Sequence, residues 1–203
     1  SINGTGSVTT AWLRLGQFGG AGTTGVINLG DGNLGGDLII NNSLDIKNGA
    51  ALTMNFNGGT LTTSTTWGLG GTLAVKSGGA IFNVTGNTLT ISSNLTDGTG
   101  GGGLTKNGSG TLTLSGVGNT YTGTTTVNAG TLQIGTGGNG SLAQSSNTIV
   151  NNANLVYSMD LTNTGTASLA SSITGTGNLT ATGRLVNING NITQSGNVTL
   201  TGS

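Results

Sequence analysis

Cysteine, histidine, proline and glutamate are absent from this 203-residue chain, and charge is scarce: five Lys and Arg stand against five Asp, for a net charge of zero. Each absence excludes chemistry. Without His there is no His-based triad and no histidine metal site. Without Cys there is no thiolate nucleophile, no Cys-ligated zinc and no disulfide framework. Without Glu, acid–base work falls to five Asp. Five basic residues cannot form a phosphate-binding stripe, so nucleic acid is excluded as a partner. No apolar run reaches 18 residues, so no membrane-spanning helix is expected. Aromatics number seven: Trp12, Phe18, Phe56, Trp67, Phe82, Tyr121 and Tyr157. A thick spherical core is hard to fill from such a set. The chain starts at Ser1, and it reads as a processed chain or a segment of a longer one.

What the chain does contain is 42 Gly, 38 Thr, 25 Asn and 18 Ser. Gly interrupts nearly every ten-residue window, which is costly inside a helix. Apolar residues recur instead at i, i+2 in short bursts: Leu38-Ile40, Leu52-Met54, Leu73-Val75, Leu89-Ile91, Leu112-Leu114, Leu132-Ile134 and Val198-Leu200 among others. Period two marks strands with one face buried. Gly and Asn pairs between the bursts supply tight turns.

Internal similarity selects the architecture. Ser1-Ile-Asn-Gly-Thr-Gly-Ser-Val-Thr9 reads nearly as Ser172-Ile-Thr-Gly-Thr-Gly-Asn-Leu-Thr180, and a short G-T-L-x-[LIV] unit recurs inside the longer repeats. This pattern predicts an all-β fold over residues 1–203, a parallel β-solenoid of about nine rungs. Each rung would hold about three short strands, and at ~4.8 Å per rung the rod would measure roughly 43 Å. A narrow solenoid needs few apolar residues. It stacks Asn and Thr favourably, whereas stacked charges would repel.

Candidate chemistry is sparse. Asp31 and Asp37 flank a Gly-rich turn, and two carboxylates with turn carbonyls make a weak candidate for a Ca²⁺ site. They are also the only close acid pair for a polysaccharide-cleaving enzyme, with Lys47 the nearest cation. Solvated turn aspartates are the simpler reading, and no cofactor and no catalytic residue is assigned. Gly135-Thr-Gly-Gly-Asn-Gly140 matches G-x-G-x-x-G, with Asp160 twenty residues later. The following stretch is polar and strand-like, and 42 Gly make chance matches common. Thr-x-Thr occurs twelve times without a fixed step, which argues against an ice-binding array.

The stretch Gly102 to Ile134, G-G-L-T-K-N-G-S-G-T-L-T-L-S-G-V-G-N-T-Y-T-G-T-T-T-V-N-A-G-T-L-Q-I, is distinctive. It resembles the autotransporter-associated β-strand repeat, also called the passenger-associated transport repeat. Leu104, Lys106, Gly108, Gly110, Leu112, Leu114, Gly116, Asn119, Tyr121, Gly123, Thr125, Val127, Gly130 and Leu132 fall on that family's pattern, with one extra residue between Gly116 and Asn119. The resemblance implies a right-handed parallel β-helix, exported by a Gram-negative-type bacterium and displayed at or beyond its surface, with no catalytic residue to carry over. A translocator barrel would show strands of about ten residues with aromatic girdles. Residues 135–203 show neither, so the chain reads as released or cut from a larger precursor.

The expected role is a non-enzymatic surface rod or fibre that self-associates head to tail; the alternative is a monomeric adhesin module that binds host cells or glycans along its flank. For head-to-tail contact the candidate residues are Ser1, Ile2, Trp12, Phe18, Val198 and Leu200. Trp12, Leu13, Leu15 and Phe18 form the densest apolar cluster, suited equally to an end cap and to a subunit contact.

Overall fold

Alternation of apolar and small polar residues produces strands throughout, and the computed structural model contains no helix among the residues it describes: 1–2, 6–15, 24–32, 35–46, 50–138, 148–159, 167–169, 171–183 and 186–201. Every strand pairing is parallel. The longest sheet holds eight strands: Ser7–Leu15, Asp37–Ile46, Thr60–Thr63, Ala80–Val84, Leu104–Asn107, Thr125–Val127, Ile149–Asn151 and Ile173–Thr174. A second sheet holds seven: Trp67–Leu69, Thr88–Ile91, Thr111–Leu114, Thr131–Gly138, Asn154–Met159, Asn178–Thr182 and Val198–Thr201. A third holds four: Thr24–Leu29, Ala51–Phe56, Thr72–Val75 and Leu95–Asp97. Each strand pairs with its equivalent one turn away, which makes the chain a β-solenoid.

The core is a set of columns running along the stack. In the second sheet Leu89, Leu112, Leu132, Leu155 and Leu179 lie in register, and beside them run Ile91, Leu114, Ile134, Tyr157 and Ala181. All ten are buried. The third sheet adds Met54 over Leu73 and Phe56 over Val75. Phe56 also packs on Phe82 of the long sheet, with ring centroids 5.0 Å apart. The inward residues expected from period two, including Leu52, Met54, Leu73, Val75, Leu89 and Ile91, are all in this core.

Two expectations change. Six consecutive turns, between residues 60 and 182, carry a strand in both the long and the second sheet, rather than the nine rungs inferred from length. The N-terminal strands Ser7–Leu15 and Asp37–Ile46 are 9 and 10 residues long, so the early turns consume more chain than a compact rung does. The third side is a continuous sheet over four turns, and strands recur in the same place in chain order only at Ala167–Leu169 and Val186–Ile188, which pair in a separate two-stranded sheet. In the turn after Leu95–Asp97 the chain closes that side with side chains and isolated backbone bonds. The Asn119 carboxamide oxygen accepts the Leu95 N–H at 2.8 Å, Thr120 N–H donates to the Leu95 carbonyl at 2.9 Å, and Asp97 Oδ1 accepts the Thr122 N–H at 2.9 Å.

The corner before the second sheet explains the recurrent G-T-L. Gly86, Gly110, Gly130, Gly177 and Gly196 occupy it. A Cβ on Gly110 would collide with the Gly86 carbonyl, one on Gly130 with Gly110, and one on Gly196 with Gly177. Successive turns touch here backbone to backbone, at the rung height set by the hydrogen bonds between them. Gly110→Val should therefore lower the unfolding free energy by about 3 kcal/mol or more. A melting temperature within two degrees of the parent would show that the corner has room.

Candidate functional site

The chemistry-bearing side chains divide into a buried group inside the solenoid and an exposed group at its two ends. The buried group centres on Lys106. Its strand, Leu104–Asn107, alternates inward and outward, and Lys106 takes an inward position between Phe82 and Val127. It is fully buried. Its Nζ donates to the carbonyls of Asn107 and Gly108 at 2.7 Å each and of Ala129 at 3.1 Å, so it ties one turn to the next. Three acceptors match the three protons of an ammonium. Burial lowers the Lys106 pKa from 10.5 to about 8.

Beyond it, the Tyr121 hydroxyl and the Thr125 hydroxyl share a 2.6 Å hydrogen bond. Burial pushes the Tyr121 pKa up to about 12, against the pull of the Thr125 bond. Tyr157 is raised as well, by burial first and then by neighbouring Tyr121. The buried Tyr157 hydroxyl has no hydrogen-bond partner. Asn151, also buried, donates to the Asn178 carbonyl at 2.9 Å and to Gln194 Oε1 at 3.1 Å. These are structural polar groups. None of those buried side chains opens to solvent.

Lys106, Tyr121 and Thr125 are positions of the sequence motif, and a family model for the passenger-associated transport repeat matches residues 104–134. That stretch is similar to a passenger-associated transport repeat. No curated protein and no solved structure matches the chain. Within the repeat, Leu104, Leu112, Leu114, Val127 and Leu132 fill the core. Lys106 staples two turns, Gly110 makes the close corner, Asn119 caps the third sheet, and Tyr121 bonds Thr125. The repeat and the solenoid together indicate a passenger-like structural module.

The remaining candidates sort plainly. Asp31 and Asp37 are exposed, and Asp37 opens the second strand of the long sheet. Among the described residues no group of three or more His, Cys, Asp or Glu gathers, so no third acidic ligand joins the pair. Lys47, Phe18, Gly140 and Asp160 lie outside the described residues, and no helix follows the strand Thr131–Gly138 among the described ones. Thr-x-Thr pairs do stack despite their irregular steps: Thr88/Thr90 lie beneath Thr111/Thr113. The next turns present Thr131/Gln133 and Asn154/Val156, so the threonine grid is interrupted.

A groove of about 530 Å³ follows the junction of the second and third sheets, lined by Thr72, Ser92, Asn94, Thr96, Ser115 and Val117 among others, none of them charged. The hydroxyls of Ser92, Thr96 and Ser115 donate to Leu69, Leu73 and Ile91 carbonyls of the preceding turn.

The end residues are set far apart. Ser1 is exposed, and its hydroxyl accepts from Asn28 Nδ2 at 3.5 Å. Ile2 is half-buried and forms an isolated bridge with Leu29. Trp12 is 50% exposed on the first strand of the long sheet. Val198 and Leu200 sit on the last strand of the second sheet, at the opposite end of the stack. Sequence reasoning missed Lys106, Tyr121 and Asn119 as interior groups. The signal for Lys106 was its place in the Leu104-x-Lys106 alternation.

Two predictions follow from the buried groups. The folded pKa of Lys106 lies below its unfolded value, so the unfolded state binds more protons between pH 8 and 10.5. Stability should rise with pH across that window, by up to about 3 kcal/mol. Tyr121 and Tyr157 act oppositely: their folded pKa values exceed the unfolded value near 10, so stability should fall above it. Denaturant melts from pH 7 to 12 should show a maximum near pH 10, and Lys106→Met should remove the rising limb. In addition, Tyr157→Phe should hold or raise stability, by up to about 1 kcal/mol, because it removes an unpartnered hydroxyl. Tyr121→Phe should cost about 1 kcal/mol by leaving Thr125 short of a partner. Chemical denaturation of the two variants reads the contrast.

Proposed function

We propose that this chain is a non-enzymatic, passenger-type β-solenoid, exported to the surface of a Gram-negative-type bacterium, that builds an extracellular rod or fibre by end-to-end association of copies. The observation that carries this reading is the state of the last rung. Val198 continues the Leu89–Leu179 column and Leu200 the Ile91–Ala181 column. Both are inward residues by register, yet they are 45% and 53% exposed. Among the described residues no strand lies beyond them. An exposed apolar column of this register suits a strand of matching spacing. The strand Ser7–Leu15 has one strand neighbour among the described residues, with Val8 47% and Trp12 50% exposed. The sequence holds neither Pro nor Glu to blunt a strand edge. Contact between unlike ends is heterologous and does not close, so it yields filaments rather than rings.

The groove at Thr72, Ser92 and Ser115 supports a second reading, a monomeric adhesin or passenger module. Its row of neutral hydroxyls suits the hydroxyl groups of a glycan. Static light scattering of the purified chain from nanomolar to hundreds of micromolar separates the two. The expected result is mass growing with concentration, with filaments visible by electron microscopy. A constant mass of one protomer throughout would give first place to the adhesin.

A further inference from the structure

We propose that the groove between the second and third sheets is a subsite for an uncharged oligosaccharide, which lies along the rod with one ring face on Val117. This deepens the glycan reading of the groove and rests on it; it is independent of end-to-end association.

Chain length at one corner makes the site. The connection from the second sheet to the third takes four steps in two successive turns, Leu69 to Leu73 and Ile91 to Leu95. In the next turn Leu114 pairs with Ile91, and the group that meets Leu95 is Asn119, whose carboxamide oxygen accepts the Leu95 N–H at 2.8 Å. That connection takes five steps. The additional residue is accommodated at Gly116-Val117-Gly118, and Val117 is 62% exposed, more than any other large apolar residue among those described. It lines the groove beside Gly116 and Ser115.

The polar lining selects the rest of the occupant. Ser92, Thr96 and Ser115 each commit their one hydroxyl proton to a carbonyl of the preceding turn, at 3.4, 3.2 and 3.2 Å. A hydroxyl so committed can only accept further bonds. Asn94 is committed in the opposite sense: its Oδ1 accepts the Gly118 N–H at 2.9 Å, which leaves the Nδ2 protons as donors. The Ser93 hydroxyl accepts the Gly71 N–H at 2.8 Å and keeps a proton to donate. An occupant must therefore both donate and accept, as alcohols do. No lining residue carries a charge, and the nearest charged residue in sequence is the anion Asp97, so a carboxylate, sulfate or phosphate group finds no cation here. A pyranose ring presents C–H groups on its faces and hydroxyls round its edge, which matches Val117 set beside these groups. Ser92 and Ser115 occupy equivalent places after Ile91 and Leu114, so their acceptors repeat at about 4.8 Å along the rod. One pyranose unit of an extended chain advances by a similar length, and successive rings would meet successive rungs. The groove volume of about 530 Å³ falls within the range of about 300–1,000 Å³ typical of small-molecule sites.

Nuclear magnetic resonance of the isotope-labelled chain tests this, with maltotriose, cellotriose and mannotriose as uncharged probes and trigalacturonate as the acidic one. At least one uncharged trisaccharide should shift the amides of Ser92 to Thr96 and Ser115 to Gly118 saturably, and trigalacturonate should bind about tenfold more weakly or worse. Val117→Ser should weaken the uncharged ligand about threefold or more, by removing the apolar contact. Its far-UV spectrum should match the parent's, because the side chain is exposed. Val117→Leu should retain binding. Saturable shifts of the same amides with trigalacturonate the tighter ligand, or with Val117→Ser binding as the parent does, would overturn this inference and leave the glycan reading of the groove standing. No shift of those amides with any of the four saccharides would remove both.

Discussion

Parallel hydrogen bonding between successive turns sets a rung height of about 4.8 Å, and the rest of the molecule follows from it. At that height each residue sits directly over its counterpart one turn earlier. A residue type is therefore admitted by what it does next to itself. Leu over Leu fills a narrow core. Asn over Asn shares a hydrogen bond between carboxamides: Asn55 Nδ2 donates to Asn28 Oδ1 at 2.7 Å and Asn128 Nδ2 to Asn107 Oδ1 at 2.9 Å. Charge over charge would repel, and the chain carries five cations and five anions in 203 residues. The corners are tighter still, so glycine dominates them. The composition that looks poor for a globular domain is the one this stacking rule selects.

The same rule decides what could be read in advance. Strands were legible because burial on one face imposes period two, and Leu89, Leu112, Leu132 and their neighbours follow it, with buried Thr113 between Leu112 and Leu114 an exception. Turn count was less legible. The alternating bursts do not tell how much chain a long early strand such as Asp37–Ile46 consumes, nor that Asn119 and Asp97 close the third side in the turn after Leu95–Asp97. Lys106 was hidden by its chemistry. A lysine ordinarily marks solvent, and only the three carbonyls of Asn107, Gly108 and Ala129 make an inward ammonium tolerable. The last rung was partly legible: Val198 and Leu200 follow the core alternation, but their half exposure is a fact of the stack and not of the residues.

Function on this architecture divides between body and ends. In the body the side chains of the transport repeat are committed to one another, and the flank offers a neutral hydroxyl-lined groove. On the last described rung Val198 and Leu200 continue the core columns and are about half exposed.

The lysine staple has a mechanical consequence. Hydrogen bonds between turns lie along the rod axis, so a pull on either end loads one rung at a time, and the chain should peel in short steps rather than yield at once. Lys106 holds carbonyls on two consecutive turns at a single point. That rung cannot be peeled until an ammonium gives up three acceptors together. Tension drawn from either side would pause there, leaving the central repeat as the last folded segment and the natural seed from which the rod rewinds when the load is released.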